Sequence, residues 1–174
     1  MQSHPLLVYA GQFWAIHANT FTLDDTDRHF ITRLFNSRRL PQRGNYGAWL
    51  QTLVPEVGTN TIDSTQPLYY AASFGLVPIV KAILDSDPEV DMNARGGRYG
   101  STPLFVACWR RNYEVVEILL KHGADPRIPD SGTGHTIFSL FNTLERRFER
   151  EVQVGQREAI KRLRTVAQEA IARF

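Results

Sequence analysis

Gly100-Ser101-Thr102-Pro103-Leu104-Phe105-Val106-Ala107 and, a few residues on, Glu114-Val115-Val116-Glu117-Ile118-Leu119-Leu120-Lys121-His122-Gly123-Ala124-Asp125-Pro126 decide the fold. Together they read as a helical hairpin. Thr102 is placed to cap a helix with its hydroxyl, and Pro103 occupies the first turn, where a missing N–H costs nothing. Leu104, Ala107 and Cys108 then make a narrow apolar face whose small residues allow close packing. The second helix shows Val115, Val116, Leu119 and Leu120 at helical spacing. Lys121-His122-Gly123 ends it with charges suited to the carbonyl end and a glycine cap.

The unit recurs. Gln66-Pro67-Leu68-Tyr69-Tyr70-Ala71-Ala72 returns as Thr102-Pro103-Leu104-Phe105-Val106-Ala107-Cys108, a shift of 36 positions, and Ile79-Val80-Lys81-Ala82-Ile83-Leu84 returns at the same offset as Val115-Val116-Glu117-Ile118-Leu119-Leu120. Self-similarity at this period is the mark of a repeat array. Gly75 breaks the earlier hairpin. The equivalent place in the later one is Arg111-Asn112, where the asparagine is expected to take the left-handed backbone. Gly96 and Gly97 lengthen the loop between the units.

A third, degenerate unit begins at Gly134-His135-Thr136-Ile137-Phe138. Thr136 keeps the capping position, while Phe141 stands where a small residue is expected. Its second helix is expected over residues 157–172, with Ala159, Ile160, Leu163, Ala167, Ala170 and Ile171 as the apolar stripe. Arg146, Arg147, Arg150, Arg157, Arg162 and Arg164 make this part basic, but Glu145, Glu149, Glu151 and Glu158 alternate with them, which predicts pairing within the helices.

The repeats resemble the ankyrin repeat. The later unit follows its consensus almost throughout. The earlier unit departs from it at Gln66 and at Asp87-Pro88-Glu89, then recovers it over Val90-Asp91-Met92-Asn93-Ala94. The resemblance implies an all-α solenoid of stacked helix-turn-helix units. On this basis the chain divides into a helical cap or linker over residues 1–58 and a repeat domain over 59–174, with units near 64–97, 98–130 and 131–174. Stacks of fewer than about three such units are seldom stable, because each unit buries its face only against a neighbour. Helical segments at both ends are therefore expected to close the stack.

Three helical patterns precede the repeats. Leu6, Ala10, Phe13, Trp14 and His17 share one helical side. Phe30, Ile31, Leu34 and Phe35 share another, behind the acidic start Asp24, Asp25 and Asp27. Tyr46, Trp49, Leu50 and Leu53 form the third, before Pro55 and Gly58. The stretch 5–18, with Ala48-Trp49-Leu50 further on, resembles the helical segment joining the NACHT region to ankyrin repeats in fungal NOD-like receptor proteins. No G-x-x-x-x-G-K-[ST] sequence accompanies it, so that family's nucleotide switch is not encoded in these residues.

Composition narrows the function classes. Of 174 residues 43% are hydrophobic, as in a globular protein, and 20 basic against 18 acidic residues leave +2, too balanced for a dedicated nucleic-acid or membrane surface. A lone cysteine, Cys108, fits a reducing compartment, and a soluble, intracellular, cytoplasmic protein is expected, a nuclear one being the alternative. His4, His17, His29, His122 and His135 are scattered without metal-ligand spacing. Gly96-Gly97-Arg98-Tyr99-Gly100 lacks the lysine of a phosphate loop. Asp24 with Asp25, and Asp85 with Asp87, lie at a helix start and in a turn.

The expected function is therefore binding rather than catalysis. No cofactor, metal or small-molecule substrate is implied, and the expected partner is a protein rather than nucleic acid or a membrane. In ankyrin proteins partners dock on the hairpin fingers and the concave side of the inner helices. The resemblance places Ser73, Phe74, Arg98, Tyr99, Ser101, Trp109, Arg110 and His135 there. Phe74, Tyr99, Trp109 and Arg110 have the aromatic and arginine character of binding hot spots. A regulatory piece of a NACHT-type receptor is the alternative function.

Overall fold

The computed structural model describes residues 24–36, 44–86, 89–151 and 154–173. The expected helix carrying Leu6 to His17, and the stretch 5–18, lie outside them. The described elements are α1 (Asp25–Asn36), α2 (Gly44–Leu53), α3 (Thr59–Ser64), α4 (Pro67–Ser73), α5 (Val77–Ser86), α6 (Pro103–Trp109), α7 (Tyr113–Lys121), α8 (Ile137–Glu151) and α9 (Val154–Ile171). Among the described residues there is no strand, only an isolated bridge between Gly96 and Ser101.

The helices stand in two rows. The inner helices α4, α6 and α8, of which the first two are short, pack in succession, while α5, α7 and α9 form the outer row, with α1 laid against α5. Each inner helix also packs on the outer helix that follows it. Small residues permit this spacing: Ala71, Ala72, Ala107 and Cys108 are all buried. The outer row contributes Ile79, Val80, Val115, Val116, Leu119 and Leu120 to the same core.

Local signals set the helix ends. Thr102 Oγ1 accepts from the Phe105 amide at 3.1 Å, an interaction worth about 1 kcal/mol, whereas Gln66 makes no such bond. Asp24 and Asp27 cap α1 reciprocally: Asp24 Oδ1 accepts from the Asp27 amide at 2.8 Å and Asp27 Oδ2 from the Asp24 amide at 3.2 Å. The left-handed residue between α6 and α7 is Arg111, at φ 64°, and not Asn112, at φ −79°. Asn112 is occupied otherwise, because its side-chain amide caps the carbonyl end of α4 through Ala72 and Ser73.

Both ends are closed. At one, Phe35 packs on Tyr46 and Trp49, with ring centroids 5.3 and 5.7 Å apart. Phe30 does not join them, being 61% exposed, although it shares a helical pattern with Phe35. At the other end α8 and α9 outlast the helices of the other units and cover α6 and α7. Phe141 is fully buried there, so the larger residue fills the end of the stack rather than disrupting it. The charges of this unit pair between helices as well as along them. Arg164 reaches Glu145 on α8 at 2.9 Å and Arg162 reaches Glu117 on α7 at 2.6 Å, while Lys161 and Glu158 pair within α9.

Candidate functional site

The loops between units form closed fingers. Gly96 and Ser101 exchange both backbone hydrogen bonds, at 2.9 and 3.0 Å, so residues 97–100 must turn within four positions. Gly97 and Gly100 make the turn at φ 66° and 61°. At Gly97 a side chain is excluded twice over, because a Cβ there would also collide with the Tyr69 hydroxyl and ring. The turn leaves Arg98 and Tyr99 pointing outward, and Tyr99 is 62% exposed.

Side chains lock each finger to its neighbours. Thr65 Oγ1 accepts from the Gly97 amide at 2.9 Å, and Arg95 donates to the Gly100 carbonyl at 2.9 Å and to Ser131 Oγ at 2.6 Å. Asn93 Oδ1 accepts from the Asp125 amide one unit on, at 2.9 Å. The third finger is organised by Asp130. One carboxylate oxygen accepts from Ser101 Oγ at 2.5 Å and the other from the Thr133 amide and hydroxyl at 2.8 and 2.9 Å.

Burial is the largest influence on the Asp130 carboxyl and favours its neutral form. The bonds from Ser101, Thr133 and the backbone of Thr133 and Gly132 outweigh it and hold the carboxyl below its ordinary range. Burial chiefly raises the Tyr69 phenol as well, with Ser101 acting in the opposite direction.

Beside Ser101 and Asp130 lies a concave groove of about 450 Å³. Tyr69, Tyr70 and Phe74 of the first full repeat and Phe105 and Val106 of the second line it, and the fingers and the ends of α4 and α6 form its rim. Seven of the residues expected to bind fall on it: Ser73, Phe74, Arg98, Tyr99, Ser101, Trp109 and Arg110. His135 is exposed on the third finger and is not among the lining residues.

Their states differ. Trp109 is 59% exposed, and the Arg98 guanidinium lies over the Tyr99 ring at 5.8 Å. Phe74 is half-buried and stacks on Tyr70, with centroids 6.5 Å apart and planes at 18°. Ser101 is buried and committed to Asp130, so it shapes the wall instead of offering a free hydroxyl. Sequence reasoning missed Tyr69, Tyr70, Glu56, Asp130 and Thr133. The 36-residue offset could have indicated Tyr69 and Tyr70, the counterparts of Phe105 and Val106.

Little in the groove suits covalent or metal chemistry. Cys108 lies on the buried face of α6, and burial pushes its thiol up to about 12, far from the thiolate a nucleophile needs. Among the described residues no group of three or more His, Cys, Asp or Glu is placed to hold a metal ion, and no helix is long and apolar enough to cross a membrane.

Stacked helix pairs joined by projecting fingers define a repeat solenoid, and the family model for ankyrin repeats, three copies, matches residues 42–130. The chain belongs to the ankyrin-repeat family. It is 40% identical over 75 residues to an ankyrin repeat protein of Rickettsia bellii, an overlap covering 43% of this chain and 38% of the relative. Over 78 residues it is 35% identical to ankyrin repeat and SAM domain-containing protein 6 of Rattus norvegicus, covering 45% and 8%. Over 63 residues it is 41% identical to serine/threonine-protein kinase 12 of Arabidopsis thaliana, covering 36% and 13%. The chain thus spans well under half the length of these relatives, and what it shares with them is the repeat, a general protein-interaction module.

Proposed function

We propose that this chain works as a protein-interaction module, with the fingers and the concave face of α4 and α6 as its docking surface. The observation that carries this is the exposure of Tyr99 and Trp109, both of which line one groove. The stack does not need either ring for its core, and large aromatics around a concave face supply contact area at low entropic cost. Arg98 and Arg110 complete the contact set, Phe74 and Ser73 form the floor and edge, Ser101 positions the wall, and His135 extends the surface along the third finger.

The division at about residue 58, with units over 64–97, 98–130 and 131–174, belongs to this reading and is supported by the pairs α4/α5, α6/α7 and α8/α9. So does a non-enzymatic, cofactor-free role inside the cell, for which the balanced charge and the single buried cysteine speak. The alternative function, a regulatory or sensing piece of a fungal NACHT-type receptor, rests on the stretch 5–18 together with Ala48-Trp49-Leu50.

Affinity capture from native extract, quantified by mass spectrometry for the full chain and for a Tyr99→Ala/Trp109→Ala/Arg110→Ala variant, tests the docking surface. The expected result is a set of captured proteins lost from the variant while its thermal unfolding stays within a few degrees of the parent. Capture that survives the triple substitution would place the docking surface elsewhere, and a collapse of folding would assign these side chains to the core.

A further inference from the structure

Among the described residues the groove carries unengaged charged groups of both signs, the guanidiniums of Arg98 and Arg110 and the carboxylate of Glu56. Arg98 and Arg110 are exposed on its rim, and among the described residues neither has a carboxylate partner; Arg98 has only the Tyr99 ring beneath it. Three arginines of the later units are by contrast engaged by carboxylates, Arg127 by Asp125, Arg162 by Glu117 and Arg164 by Glu145. The Asp130 carboxylate also lines the groove, but both its oxygens already accept from Ser101 and Thr133. What an incoming ligand meets is thus two guanidiniums, the Glu56 carboxylate and the exposed ring of Trp109.

From this we infer that the groove recognises a short protein segment in which a single carboxylate side chain stands beside a large apolar one. The carboxylate pairs with Arg98 or Arg110, whose planar forks fit it bidentately, and the apolar side chain covers Trp109 and the ring of Phe74. A polyanion such as single-stranded nucleic acid fits less well, because Glu56 and Asp130 line the same groove and cancel the two arginines in formal charge. Glu56 enters from the cap segment ahead of the repeats and the arginines from the unit over 98–130, so the groove carries opposite charges from different segments, which would fix the direction in which a peptide lies.

The inference rests on the docking reading above and is tested separately from it. Random linear peptides displayed on phage are selected against the full chain. An enriched peptide is then labelled and titrated against the parent, Trp109→Ala, and an Arg98→Glu/Arg110→Glu variant. Enriched sequences should carry Asp or Glu next to a large apolar residue. Replacing that acid by its amide should weaken binding by about 10- to 100-fold, and charge reversal should do the same. The reversed variant should in turn prefer the peptide with Lys at that place.

Peptides that need Trp109 but carry no acid, or bind the charge-reversed variant equally well, would overturn the acidic specificity and leave the groove standing. Binding indifferent to Trp109, or a selection that enriches nothing, would overturn the groove itself. Tighter binding of a single-stranded DNA oligonucleotide than of any selected peptide, lost on charge reversal, would replace the peptide by a nucleic acid.

Discussion

Asn112 of one repeat caps Ala72 of the repeat before it. Its side-chain amide donates to the Ala72 carbonyl at 2.8 Å and to the Ser73 carbonyl at 3.0 Å, satisfying groups that the short helix α4 leaves free. Gly75 makes room for this contact, since a Cβ there would lie 2.8 Å from Asn112 Oδ1, and its φ of 71° excludes most side chains besides. Asn112→Ala should therefore lower stability by about 1–2 kcal/mol, and Gly75→Ala by at least as much, in urea unfolding. An Asn112→Ala midpoint equal to the parent's would show that water replaces the cap at no cost.

Arg111 occupies the position 36 residues after Gly75 and adopts the same left-handed backbone, at φ 64°, with a side chain attached. The strain of a non-glycine residue there is about 1–2 kcal/mol, partly offset by the greater freedom glycine regains on unfolding. Arg111→Gly is expected to raise the stability of the chain by about 0.5–1 kcal/mol. A loss instead would mean that the arginine side chain contributes more than its backbone costs.

How much was legible before any coordinates follows from the same two residues. The offset fixed the hairpins, the caps and the buried faces, because those depend on residues close together in sequence. The offset also pointed to Arg111 as the left-handed residue, and the intrinsic preference of asparagine misdirected that expectation, because only the neighbouring unit shows that the Asn112 side chain is needed for Ala72. The groove was legible as a set of exposed positions for a similar reason. Asp130 was not, because a carboxylate in a loop gains its role from Ser101, 29 positions away. Phe30 was misplaced by its pattern, since helical spacing identifies a shared side without saying how far a neighbour covers it.

Acid should loosen the fingers through Asp130. Its carboxyl titrates below the ordinary aspartate value of about 3.9, so the stability it contributes is fully present above that pH and is lost as pH falls through the lower, folded value. Asp130→Asn keeps the shape but turns one acceptor into a donor facing Ser101 or Thr133. It should cost about 1–3 kcal/mol at pH 7 and flatten the decline of stability below pH 4. Unfolding curves collected from pH 2 to pH 7 check both, and a variant with the parent's acid profile would remove Asp130 from the account.

Cys108 offers a probe of the stack from within. It is fully buried against the inner row, and burial alone raises its thiol to about 12. At pH 8 the folded chain should react with a thiol reagent orders of magnitude more slowly than the urea-unfolded chain. Labelling should then follow opening of the repeats, and Asn112→Ala should accelerate it in proportion to the stability lost. Rapid labelling of the folded parent would contradict the packing of α4 against α6.

The terminal unit closes the stack with two ion pairs of unequal weight. Arg164 and Glu145 are 26% and 25% exposed, and the Arg164 guanidinium also lies 5.8 Å from the centre of the Phe141 ring and donates to Asn142 Oδ1 at 2.8 Å. Arg162, paired with Glu117, is 65% exposed and has no such ring beneath it. Solvent screening should reduce the second pair to a few tenths of a kcal/mol, while the partly buried pair retains its charge-assisted hydrogen bonds and its ring contact. A double-mutant cycle on Arg164 and Glu145 should give a coupling of about 1 kcal/mol that changes little between low and moderate salt. The cycle on Arg162 and Glu117 should give less than half of that and vanish as salt is added. Phe141→Ala, which empties the centre of the same unit, should cost about 3–5 kcal/mol. Equal couplings for the two pairs would mean that α9 is held to the stack by its apolar stripe alone, with the arginines merely solvating its outer face.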